Sequence, residues 1–200
     1  MNKKMVLMTA LIFGLGVVLA SCTGVQVKPA ETNFKDPVIT LESFEVPQYD
    51  GYAYYAGKVK PTKGEAADRG TFLALSFVFN IENPNPYPIL LEEIKYSVVF
   101  DNDFVMITTN DQVENWIPPG KTDQVRVTTL ITTRSALVGL MLANAVTLKN
   151  KGWDMWETLE KWWKGVPEQT VPVSVTEGAF AFSANGVYKV IPYMATIPAM

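Results

Sequence analysis

The sequence predicts a mainly β protein: an immunoglobulin/fibronectin-III-like antiparallel β-sandwich with an inserted helical hairpin. Three observations lead there. Apolar and polar residues alternate with a period of two in several short runs, turn chemistry separates those runs, and one stretch, about 134–165, changes to a helical period. With 200 residues, 48% of them hydrophobic and 18% charged, the chain can bury a real core, and its length fits one domain once a leader is set aside.

Lys3 and Lys4 precede a mostly apolar stretch from Met5 to Ala20, closed by Leu19-Ala20-Ser21-Cys22. Charge, apolar run and small residues in that order read as a secretory signal over 1–21. The apolar stretch is too short for the roughly 20 residues of a spanning helix. A cysteine placed directly after Leu-Ala-Ser resembles a bacterial lipobox. That resemblance implies cleavage before Cys22 and lipidation of its sulfur and new amino group, after which the acyl chains hold the protein to the membrane. Thr23, where aspartate would signal retention, resembles the outer-membrane sorting pattern. The expected location is therefore the cell envelope, on the periplasmic face of the outer membrane where there are two membranes. Residues 22–36, polar and interrupted by Pro29, read as a lipidated tether, and 37–200 as the domain.

The first candidate strand is Val38 to Val46. Leu73, Leu75, Phe77, Phe79 and Ile81 then alternate against Phe72, Ala74, Ser76, Val78 and Asn80, which predicts a strand buried largely on one face. Ile94, Tyr96, Val98 and Phe100 repeat the pattern with a wetter opposite face. Further strands are expected at Phe104 to Thr109, Thr122 to Ile131, Gln169 to Thr176, Ala179 to Ser183 and Val187 to Tyr193. Pro118-Pro119-Gly120-Lys121 and Asn185-Gly186 supply the fixed or positive φ that tight turns need. The run Asn83-Pro84-Asn85-Pro86-Tyr87-Pro88 must stop a strand, because three prolines remove three ladder donors. Asn83 and Asn85 can then bond the freed backbone groups, making Asn83, Pro84, Asn85 and Pro86 a structural corner.

The helical part reads as two helices. Ser135 to Leu148 is uncharged, and Lys149-Asn150-Lys151-Gly152 provides cations and a stop at its C-terminal end. From Trp153 to Lys164, one half of the helical wheel carries Trp153, Met155, Trp156, Leu159, Trp162 and Trp163, and the other carries the charges.

Phe77-Val78-Phe79-Asn80-Ile81-Glu82-Asn83-Pro84-Asn85-Pro86-Tyr87-Pro88-Ile89 followed by Leu91-Glu92-Glu93-Ile94-Lys95-Tyr96 resembles the strand, Asn-Pro corner and strand of the late embryogenesis abundant type-2 family, which carries the water-stress and hypersensitive-response (WHy) domain. The order that follows is similar too: the turn at Pro119-Gly120, a helical segment, Val171-Pro172-Val173, Gly178 and Ile191-Pro192-Tyr193. The resemblance spans about Val38 to Tyr193. It implies a small antiparallel sandwich and an association with desiccation or envelope stress, and it brings no catalytic residues. Two departures stand out: an insertion from Pro47 to Gly70 carrying Tyr49, Tyr52, Tyr54 and Tyr55, and a helical part rich in tryptophan.

Those departures supply the candidate binding residues. Trp153, Trp156, Trp162 and Trp163 could face a membrane interface or a partner, or simply cover the sandwich. Tyr49, Tyr52, Tyr54 and Tyr55 could form a binding loop or a plain surface loop. The chain has no histidine and one cysteine, which excludes Ser-His-Asp and Cys-His nucleophile systems and thiolate clusters. Net charge is −3, so nucleic acid is not an expected partner. Asp101, Asp103 and Asp111 lack the spacing of a calcium loop, Glu92 and Glu93 point to opposite faces of a strand, and no glycine loop cradles phosphate. No metal, cofactor or catalytic residue is expected. The sequence reads as a lipid-anchored, non-enzymatic envelope protein, a binding or stress-protective module, with an accessory subunit of a larger envelope complex as the alternative.

Overall fold

A computed structural model describes residues 27–52 and 71–197. Seven strands form two antiparallel sheets: β1 (Val38–Glu45), β2 (Phe72–Glu82), β3 (Ile89–Phe100), β4 (Phe104–Ile117), β5 (Thr122–Thr132), β6 (Val173–Ala184) and β7 (Val187–Ile197). One sheet has the order β1-β2-β5 and the other β4-β3-β6-β7. This three-plus-four sandwich is the fold class the alternation predicts. Between β5 and β6 lie α1 (Thr133–Met141), α2 (Ala145–Lys151) and α3 (Met155–Gly165), so the insertion is where it was expected, with three helices in place of a hairpin.

The core lies between the sheets. Leu73, Leu75, Phe77, Phe79 and Ile81 of β2 meet Ile94, Tyr96, Val98 and Phe100 of β3, with Phe180 and Phe182 of β6 beside them, and all are fully buried. The aromatic rings meet mainly edge to face, as between Phe79 and Phe180 at 5.1 Å and between Phe77 and Tyr96 at 5.5 Å. The quadrupoles of the rings favour this arrangement. One expectation needs correction: β2 is buried on both faces, since Ala74, Ser76 and Val78 are also covered. β2 is the central strand of its sheet, and its short outward side chains sit below those of its neighbours. Ser76, for example, bonds Thr128 and Arg126 of β5.

Two strands are longer than alternation alone indicated. β4 continues to Ile117 past an irregularity opposite Glu92, where Glu114 takes a φ of 50°. β6 joins the two runs expected separately, through a bulge at Thr176 and Glu177. Immediately after it, a Cβ on Gly178 would lie 2.4 Å from the Tyr193 carbonyl oxygen, so only glycine allows β6 and β7 this close.

The sandwich has two distinct ends. Strands β2, β4 and β6 all end at the pole containing the Asn-Pro corner, whereas β3 and β5 run the other way, into the pole where the helices attach. An 11-residue strand such as β2 spans roughly 36 Å, which sets the distance between the poles.

Candidate functional site

At the corner pole the chain crosses between sheets twice, from β2 to β3 and from β4 to β5. Asn83, fully buried, ties the two crossings together. Its amide nitrogen donates to the carbonyls of Tyr87 at 2.9 Å and Ile117 at 3.0 Å, while its side-chain oxygen accepts from the Asn85 backbone N–H at 2.9 Å. Its own backbone pairs with Lys121 and Gly120 of the second crossing. The corner chemistry anticipated from the prolines is thus present, and Gly120 supplies the positive φ, 61°, that its turn requires.

Asn85 does something the sequence did not suggest. Its side-chain oxygen accepts from the Lys35 N–H at 2.8 Å and its amide donates to the Lys35 carbonyl at 2.9 Å, the pairing a strand backbone would offer. Phe34 is buried beside it, the Tyr87 hydroxyl bonds Asn33, and the Lys189 ammonium reaches the Phe34 carbonyl and Asp36. The described part of the expected tether, from about Lys28 to Asp36, is docked on the corner.

At the opposite pole, the tryptophans offered as a contact surface divide. Trp162 and Trp163 are completely buried and are core. Trp162 packs on Phe100 and Phe104 at 5.5 and 5.1 Å, and its indole N–H donates to Asp101 at 2.6 Å. Asp101 also holds the Lys161 ammonium at 2.7 Å. It sits in the β3–β4 turn, where Asp101 and Asn102 both have positive φ, so this hairpin is bolted to α3. Trp153 stacks on Phe104, with Lys151 and Lys161 over its face. Trp156 is half-buried. The apolar half of the predicted wheel thus serves mainly to close the sandwich.

The helices begin and end as their sequences require. A capping box between Thr132 and Ser135 starts α1, Asp154 accepts from the N–H groups of Trp156 and Glu157 to start α3, and Gly152 ends α2 at a φ of 67°. The helix expected over Ser135 to Leu148 is broken at Asn144. That side chain is buried and donates to the Val105 carbonyl of β4 at 3.0 Å and to the Gly139 carbonyl, bonds that an unbroken helix could not make.

The tyrosines fall in different places. Tyr49 is exposed and bridges to Leu73. Tyr52 packs partly against the core, and its hydroxyl is held above the usual tyrosine range by desolvation and then by the Glu160 charge. Tyr54, Tyr55 and Cys22 lie outside the described residues.

Sequence reasoning overlooked several apolar side chains that stand open. Val138, Met141, Leu142 and Val146, on α1, α2 and the link between them, are 47–75% exposed, and Trp116 at the end of β4 is 58% exposed. The i, i+3, i+4 spacing of Val138, Met141 and Leu142 marked one helix face, but without the fold nothing distinguished an outward face from an inward one. Trp116 ends a run that was not expected to be a strand. Among the described residues no group of histidine, cysteine, aspartate or glutamate is placed to hold a metal.

The chain is thus a β-sandwich protein with one polar and one aromatic pole. No protein-family model matches it, and neither does any curated protein. Similar solved structures include a protein from Archaeoglobus fulgidus (9% identity, 79% of this chain and 94% of that one, TM-score 0.44) and an ApaA candidate from Bordetella pertussis (11%, 86% and 96%, 0.40). They also include a candidate late embryogenesis abundant protein (8%, 99% and 87%, 0.36). At such identities and scores none of them carries an argument about what this chain does.

Proposed function

We propose that this chain is a lipid-anchored, non-enzymatic protein of the cell envelope, a binding or stress- and desiccation-protective module held at the membrane through acylated Cys22. The observation that carries the binding reading is the apolar surface of Val138, Met141, Leu142 and Val146. Scattered exposed apolar residues are ordinary, but four within nine positions form a patch of the kind that marks an interaction site. The partner best matched to this surface is a protein presenting an apolar groove. The protective reading is supported by the resemblance of the Asn83–Pro88 corner to the late embryogenesis abundant type-2 family.

The same patch supports an accessory subunit of a larger envelope complex, with the difference lying in stoichiometry. Crosslinking in native envelopes followed by mass spectrometry tests both. The binding reading expects protein adducts that Leu142→Glu removes. One stoichiometric adduct identifies a complex subunit, many substoichiometric ones a protective module, and adducts indifferent to Leu142→Glu overturn the role of the patch.

A further inference from the structure

The corner pole holds an apolar recess of about 660 Å³ whose lining includes Val27, Pro29, Tyr87, Trp116 and Pro119. Trp116 and Val27 are 58% and 45% exposed, so a large indole stands open beside the point where the described chain begins. Only five peptide steps separate Val27 from Cys22, a reach of roughly 18 Å even when fully extended. The helical pole lies about twice that distance away, at the far end of strands roughly 36 Å long. The docking of Lys28 to Asp36 on the corner prevents the sandwich from turning end over end on a longer leash.

From this geometry we infer that the corner pole rests on the lipid bilayer surface, with Trp116 as its interfacial contact, and that α1 and α2 face away from the membrane. The inference rests on acylation of Cys22. Indole is favoured at the membrane–water interface because its ring is apolar and its N–H remains wet. At the corner itself Lys28, Lys35 and Lys121 stand against Glu31 and Glu82, with Asp36 paired to Lys189, and Glu92, Glu93 and Glu114 flank Trp116 on its other side, so the pole offers no excess of cations to lipid headgroups. Contact is therefore made by the aromatic ring and its apolar neighbours, and anionic lipid is not required. The orientation removes the tryptophan helix from the membrane and leaves the apolar patch of α1 and α2 open to a protein partner.

The test uses the full chain, purified from a lipoprotein-processing host and reconstituted into phosphatidylcholine vesicles carrying a lipid with a quencher near the headgroup. Intact mass reports acylation of the same sample. The orientation expects acylated protein whose tryptophan emission is quenched, with the quenched component absent in Trp116→Phe and unchanged by high salt. Trp116→Phe exchanges one exposed aromatic for another and leaves folding intact, which circular dichroism checks. Unmodified Cys22 overturns the lipoprotein reading and this orientation with it. Acylated protein that shows no quenching, or quenching that persists in Trp116→Phe, overturns the orientation alone. A photo-crosslinker at position 116 that captures a protein in native envelopes and no lipid also overturns it.

Discussion

At one end of the sandwich, Asn83 joins the crossings between sheets and Asn85 ties in the chain ahead of β1, both through directed hydrogen bonds. At the other, Trp153, Trp162 and Trp163 fill the opening with aromatic surface, and one carboxylate, Asp101, pins Trp162 and Lys161. Both ends solve the same problem, how to finish two sheets whose last rungs would otherwise be open to water. The polar solution adds directed donors and acceptors to the apolar packing of Phe34, Tyr87, Ile89 and Ile117, so Asn83 and Asn85 tolerate few replacements. The aromatic solution depends on volume and shape, so its residues must be large but their order along the helix is less constrained. The difference makes the corner legible from its own residues and the helical pole legible only from the fold.

The sharpest break of the aromatic end is Trp162→Ala. It empties a fully buried site and strips Asp101 of a partner, and thermal or urea unfolding should show a loss of about 3–5 kcal/mol. At the polar end, Asn83→Ala leaves the Tyr87 and Ile117 carbonyls and the Asn85 N–H without their partner. The expected loss is about 2–4 kcal/mol, and Asn83→Asp should restore little of it, because an ionised carboxylate has no N–H to donate. If Asn83→Ala proves harmless, the corner is held by proline stiffness and the contrast between the poles fails. Asp101→Ala, which separates the pin from the aromatic filling, should cost about 1.5–3 kcal/mol.

Between the poles, Tyr96 offers a smaller and oppositely signed effect. Its hydroxyl is buried without a partner among the described residues, and burial pushes its ionisation far above the usual tyrosine range, with the Asp111 charge adding to the shift. The neutral form is favoured in the folded state, so this contribution to stability is complete below the free-tyrosine value near 10 and is lost as pH rises beyond it. Tyr96→Phe should gain about 1 kcal/mol at neutral pH and soften the fall in stability at alkaline pH. Tyr52, Tyr87 and Tyr193 are shifted in the same direction, so part of that fall should remain. Unfolding curves at neutral and alkaline pH check both parts.

Much of the fold was legible because its determinants are local. Strict alternation in Leu73 to Ile81 and Ile94 to Phe100, proline placement around Asn83, and the glycines at 120, 152 and 186 each fix a segment through its own residues. The misses are tertiary. The polar stretch of β4 becomes a strand only because β3 offers it a ladder, and the helix over Ser135 to Leu148 breaks because Asn144 finds the Val105 carbonyl in another element. The docking of Lys28 to Asp36 depends on Asn85, fifty residues away in sequence. For the candidate site the lesson is the same. Periodicity correctly placed Trp162 and Trp163 on one helix face, but whether that face met solvent or core was decided by partners such as Phe100 and Phe104, and Trp116 and the α1–α2 patch are among the residues left open instead.

The clamp between Asn85 and Lys35 also has a mechanical meaning. Any pull on the chain ahead of Val27 travels along the backbone toward the sandwich and meets Asn33 on Tyr87 first, then the buried Phe34 ring, then the paired Lys35 backbone and the Lys189 bridge. These attachments lie on the β2–β3 crossing and on β7, so the load is shared among them before it reaches β1. That first strand, joined to its own sheet only through β2, would otherwise peel away rung by rung. Under the proposed anchoring at Cys22, the sandwich is strain-relieved where the chain enters it, as a cable is at its socket.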